Sequence, residues 1–195
     1  MRRVVMADPA AWKFTRRDYH RLAEVGILGE DRRTELIGGD VLLMVPIGSR
    51  HAATVSRLST VFGPLLGETA HWVQSPIALG DHDEPCPDFC LVDPRSYDEQ
   101  LPRPADVRLV VEVAMASRDY DRDTKGPLYA GAGIREYWLV DLAFDRIEVA
   151  RDPGSRGCDD VRVLGRGEFV APLAWPHLVV AVASVLGPES RPKPG

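Results

Sequence analysis

Two hydrophobic periods alternate along this chain, one helical and one of two residues, and the points where they change mark its predicted elements. Thr15 to Val25 carries a helical stripe of Tyr19, Leu22, Ala23 and Val25, opened by Thr15 in the position of an N-cap. Thr34 to Val45 reads as a hairpin, because Leu36-Ile37 and Val41-Leu42-Leu43-Met44 flank Gly38-Gly39-Asp40, where paired glycines supply the positive φ of a tight turn. Ser49 opens a second helix with His51, Val55, Leu58, Phe62 and Leu65 on one face. The centre is strand-rich, with runs at His71 to Gln74, Ile77 to Leu79, Asp88 to Val92 and Val107 to Ala114. Asp93 to Asp106 carries Pro94, Pro102 and Pro104 and is expected as a surface excursion.

A helix is expected over Tyr120 to Ala130, stopped by Gly131 and Gly133; Pro127 means that it either starts near Gly126 or kinks there. Glu136 to Asp141 and Arg146 to Arg151 form a second hairpin around Ala143-Phe144-Asp145. Asp152 to Asp160 is expected as a polar loop, followed by short strands and the apolar segment Leu178 to Leu186. These boundaries divide the chain into an N-terminal arm (1–13), one domain (14–186) and a disordered tail (187–195).

One position breaks the pattern. Glu112 sits inside the apolar run Leu109 to Ala114, which is expected as a strand buried on both faces. An ionised carboxylate there is expensive unless a metal or a cation compensates it. Asp88 closes Cys86-Pro87-Asp88 and leads into Phe89-Cys90-Leu91-Val92. Two carboxylates on short strands, followed by Lys125, supply what phosphodiester hydrolysis requires: oxygens for a hard cation such as Mg²⁺ (with Mn²⁺ as substitute), and a compact ammonium for developing charge. The carbonyl of Val113 is a third, neutral oxygen. Each residue also has an ordinary alternative. Asp88 can begin a strand, Glu112 can pair with Arg108, and Asp121 with Lys125 can form a surface ion pair across one helical turn. His51 on its apolar stripe suits a core histidine, and Cys86 and Cys90 suit packing.

Composition narrows the setting. The chain has 195 residues, 45% of them hydrophobic and 27% charged, as in an ordinary globular domain. No apolar run approaches the roughly 20 residues of a membrane span. Three cysteines without a CxxC pair argue against a disulfide framework and for a cytoplasmic location. The net charge is −5, yet Met1 to Thr60 holds ten Arg or Lys against seven Asp or Glu. Arg16, Arg17, Arg50 and Arg57 are therefore candidates for contacting phosphate, although scattered surface arginines satisfy the same count.

At this point the chain resembles the PD-(D/E)XK nuclease superfamily and, more closely, the bacterial Uma-two-type restriction-endonuclease family. The resemblance spans roughly Phe14 to Leu186. It rests on Thr34-Glu35-Leu36-Ile37-Gly38-Gly39-Asp40, Pro46 to Ala53, Val73-Gln74-Ser75-Pro76, Pro87-Asp88, Leu109 to Ala114, Tyr120 to Lys125, Leu128 to Ile134 and Glu136 to Asp141. It implies a restriction-endonuclease-like α/β (mixed α+β) fold, a central mixed sheet flanked by helices, with an N-terminal helix and hairpin. It also implies a metal-dependent endonuclease acting on DNA through Asp88, Glu112 and Lys125. Ala114 stands where the superfamily pattern has its lysine, and the relatives supply that lysine from the following helix, which Lys125 matches. Glu35 matches an upstream acid that can join metal binding, and the resemblance extends site-lining roles to His51 and Gln74. A homodimer would suit double-strand cutting. A nucleic-acid-binding or interaction protein with weak or no catalysis is the alternative.

Overall fold

The computed structural model describes residues 11–29, 32–66, 71–154 and 157–189. The expected arm up to residue 10, the tail from residue 190 and the Leu65 side chain lie outside the described residues. The chain divides into two compact units, one taking in the sequence up to Met44 with Gly80–Glu84, the other Val45–Leu79 and the sequence from Pro85 onward.

In the first unit, α1 (Arg16–Glu24) begins at Thr15, as its sequence predicts. Asp18 N–H donates to Thr15 Oγ1 at 3.2 Å, and the Asp18 carboxylate accepts the Thr15 N–H at 2.9 Å, so two orphan donors are satisfied reciprocally. β1 (Thr34–Ile37) and β2 (Asp40–Leu43) pair antiparallel around Gly38 and Gly39, at φ +55° and +77°. A Cβ on Gly39 would come within 2.7 Å of Lys13 Cβ, so this turn needs glycine for space as well as for its backbone conformation. Arg16 and His20 converge on the buried Glu84 carboxylate at 2.8 and 2.9 Å.

In the second unit, β3 (His71–Val73), β4 (Phe89–Val92), β5 (Val107–Ala114), β6 (Glu136–Asp141), β7 (Arg146–Gly154) and β8 (Gly157–Gly165) form one sheet in that order. Its neighbours are antiparallel except β5 and β6, which run parallel. A parallel pair needs a crossover. Here it is α3 (Arg118–Tyr120), a π-helical turn over Asp121–Lys125, and α4 (Gly126–Gly131). α4 starts at Gly126, the first of the two expected alternatives, with Pro127 in its first turn where a missing N–H is tolerated, and the wide π-helical turn precedes it.

One face of the sheet is covered by α2 (Ser49–Leu66) and α5 (Val182–Leu186), with Phe62, Phe89, Val111, Trp138 and Val185 in its core. The other face carries Cys90, Val110, Tyr137 and Leu139 against Tyr129 of α4. Strand alternation puts Glu112 on this second face.

Two expectations need correction. Ile77 to Leu79 is not a strand: Ile77 N–H donates to Pro85 O and Ala78 N–H to Pro102 O, which ties a buried loop to its neighbours. The expected loop over 152–160 is strand through Gly154 and again from Gly157, because β7 and β8 keep their register to Gly154 opposite Gly157, residues 155 and 156 lying outside the described residues. Turn-favouring residues there are overridden by a continuous ladder, with Asp152 at φ +56° absorbing the irregularity. After β8, β9 (Phe169–Val170) and β10 (Val180–Ala181) make a small antiparallel pair. No helix among the described residues is long and apolar enough to cross a membrane.

Candidate active site

The antiparallel register of β4 and β5 places Phe89 opposite Val111, so Asp88, one residue before β4, comes beside Glu112. The Asp88 amide donates to Glu112 Oε2 at 3.3 Å, and the Val113 amide donates to Asp88 Oδ2 at 2.9 Å. The backbone thus locks the two carboxylates into one cluster. His51, from α2, brings Nε2 within 2.9 Å of Asp88 Oδ2. Its Nδ1 is buried without a hydrogen-bond partner among the described residues. Gln74 follows β3 at φ +43°, with its amide donating to Asp88 O at 3.1 Å and its side chain reaching Asp88 Oδ1 at 3.5 Å. A left-handed glutamine is an uncommon backbone state, here fixed against the acid.

The crossover helix supplies the other side. Lys125 closes the π-helical turn and donates from Nζ to Glu112 Oε1 at 3.1 Å. Tyr129, one turn later, donates its hydroxyl to the same oxygen at 2.7 Å. Glu112 and Lys125 are 3% and 4% exposed, so Lys125 does not belong to a surface ion pair; Asp121 is buried as well. Burial pushes the Glu112 carboxyl up to about 8, against the opposing pull of Lys125 and with a further push from Asp88. Burial, then the Glu112 charge, raises the Tyr129 phenol well above its ordinary value and keeps it a donor. Arg108 does not serve Glu112, since its guanidinium grips Asp93 at 2.7 and 2.6 Å.

Asp88, Glu112, Lys125, His51 and Gln74 are therefore neighbours in one cluster. Tyr129 was missed, although its spacing of four from Lys125 put both on one helical face. Glu35 is buried on β1 in the first unit. Of the four arginines, Arg17 is exposed, while Arg16 holds Glu84. Arg50 donates to Leu142 O at 2.6 Å and to Asp145 at 3.0 Å. Arg57 donates to Val185 O and Leu186 O, both at 2.9 Å, and ties α2 to α5. Cys86 and Cys90 are buried and form no disulfide among the described residues, and burial raises the Cys90 thiol well above its usual range.

Among the described residues no three His, Cys, Asp or Glu side chains gather as a metal site. The donor set that the structure brings together is the pair of carboxylates of Asp88 and Glu112. It suits a hard ion such as Mg²⁺, which keeps several waters, better than a soft or fully caged metal.

A six-stranded mixed sheet flanked by helices defines the class of fold, and comparison with known proteins agrees. The family model Uma2, "Putative restriction endonuclease", matches residues 16–183, and the chain belongs to that family. A crystal structure of a putative nuclease of the DUF820 group from Anabaena variabilis superposes with a TM-score of 0.65 at 18% identity, covering 85% of this chain and 96% of the other. This likeness carries the fold. No curated protein matches the chain.

Proposed function

We propose that this protein is a Mg²⁺-dependent endonuclease hydrolysing DNA phosphodiester bonds in the cytoplasm, with Asp88, Glu112 and Lys125 as its catalytic residues. The observation that carries the reading is the buried Glu112 carboxylate, held by Lys125 and Tyr129 beside Asp88. Asp88, Glu112 and the Val113 carbonyl would hold the ion, which neutralises phosphate charge and makes bound water a better nucleophile. Lys125 Nζ, already directed at Glu112, is suited to stabilise charge on a phosphate bound there. His51 Nε2 orients Asp88 Oδ2, and Gln74 braces the other oxygen.

The test is a paired measurement on wild type and Asp88→Asn. Mg²⁺ or Mn²⁺ should raise the melting temperature of wild type, since an ion bound only to the folded state stabilises it by about 2.7 kcal/mol at a hundredfold excess over Kd. Asp88→Asn should lose both this response and Mg²⁺-dependent cleavage of DNA. The net charge of −5 favours a second reading, a nuclease-fold interaction protein. A wild type that gains stability from the ion but cleaves neither DNA nor RNA would select it.

A further inference from the structure

The two ends of the six-stranded sheet are unlike. Among the described residues β3 is three residues long, whereas β8 runs nine residues, Gly157–Gly165, without proline. Among the described residues nothing pairs with the outer side of β8. Val161 and Val163 are 56% and 53% exposed on it. By register they lie opposite Ala150 and Glu148, so they share the sheet face that carries α4. A long edge with alternate exposed valines is the arrangement that folded proteins ordinarily cover or break.

The sequence of the edge says what covers it. We propose that β8 pairs antiparallel with β8 of a second copy of this chain, about a two-fold axis through Val161. In that register Asp160 faces the second copy's Arg162, and Arg162 faces its Asp160. Val161 meets its own equivalent, and Gly157 falls opposite Gly165. Asp160 and Arg162 already pair along one strand at 3.1 Å on the sheet's other face. Duplication turns that pair into a closed ring of four alternating charges, and cross-strand opposite charges stabilise antiparallel pairs. In this register Val163 falls opposite Asp159, and a one-residue slip would set Val161 against Arg162 and Asp160 against Val163, losing both the valine pair and the charge pairs. The interface is isologous, since each surface is its own complement. It joins the two sheets into one and leaves Asp88, Glu112 and Lys125 outside the contact.

Sedimentation velocity without nucleic acid or metal tests this independently of the nuclease reading. Wild type should be dimeric at about 10 µM, a concentration that a specific interface of micromolar affinity reaches. Arg162→Asp sets carboxylates against each other across the axis and should weaken the dimer tenfold or more. Adding Asp160→Arg to it reverses both signs, restores complementarity and should recover the dimer. Val161→Lys places two ammonium groups on the axis and should give monomer with an unchanged circular dichroism spectrum. A monomeric wild type, a dimer indifferent to Arg162→Asp and Val161→Lys, or a double variant no better than the single would each overturn the proposal.

Discussion

At Glu112, three groups of different strength meet one side chain. Tyr129→Phe removes a single donor to a buried carboxylate and should cost about 1.5–3 kcal/mol in urea unfolding. Lys125→Met removes the cation and, at a pH above about 8 where Glu112 is ionised, should cost about 3–5 kcal/mol, because it leaves that charge buried beside Asp88. Adding Glu112→Gln to Lys125→Met should recover much of that loss, and strictly additive losses would dissolve the idea of one coupled cluster. Neutral Gln needs no cation, although Tyr129 still finds an acceptor. Glu112 was legible because a charge inside an apolar run contradicts its surroundings, and Asp88 because it follows Pro87 at the head of such a run. Lys125 was visible only as a spacing, since Asp121 four residues before it offered an equally good surface partner. The burial of both residues, which decides between the two, is a product of the crossover packing. Tyr129 was hidden because an aromatic on a helix normally signals core, and here it is both core and hydrogen-bond donor.

The elements themselves were largely readable from period and punctuation, and the failures have a common cause. The N-cap at Thr15, the Gly38-Gly39 hairpin and β5 are local patterns, and all three formed. The extension of β7 and β8 through Asp152 to Asp160 is not local, since each strand persists only because the other is opposite it. The turn between β6 and β7 shows how such pairing is anchored. Asp141 Oδ1 accepts the Ala143 and Phe144 amides, both at 3.2 Å, while Asp145 sits at φ +59°. Hydrogen bonding by Arg166 and its charge, with Arg50 beside it, hold the Asp145 carboxyl below its ordinary value. A lowered folded-state value means that the unfolded chain binds the proton first. Asp145 therefore contributes stability above its unfolded pKa of about 3.9, and that contribution is lost as pH falls through the folded value. Denaturant midpoints between pH 6 and pH 3 should fall less steeply for Asp145→Asn than for wild type; parallel curves would detach this turn from acid unfolding. At the far end of α5, Gly187 has φ +75° with the Arg57 guanidinium against it. Gly187→Ala should destabilise by at least about 1 kcal/mol, because it combines backbone strain with displacement of a guanidinium that binds two carbonyls.

For the molecule as a whole, on the proposed reading, a formal charge of −5 and a buried acidic centre leave the attraction of DNA to two sources, a bound cation and exposed basic side chains. They are separable by experiment. Arg57 is engaged with Val185 and Leu186, so Arg57→Ala should lower stability and leave the salt dependence of DNA affinity unchanged. Arg17 is exposed on α1 in the basic N-terminal third, and Arg17→Ala should flatten the plot of log affinity against log salt by about one charge while leaving stability unchanged. The cation is tested with Ca²⁺, which takes oxygen ligands of the same kind. Affinity for duplex DNA should rise when Ca²⁺ is added to wild type. It should rise little in Asp88→Asn, whose site has lost one of its two carboxylates. If both proteins respond to Ca²⁺ alike, the ion acts on the DNA alone and the acidic cluster takes no part in recruiting substrate. If Arg17→Ala leaves the salt slope untouched, the basic balance of the first sixty residues reflects solvated surface charge, and the phosphate contacts must be sought among other arginines.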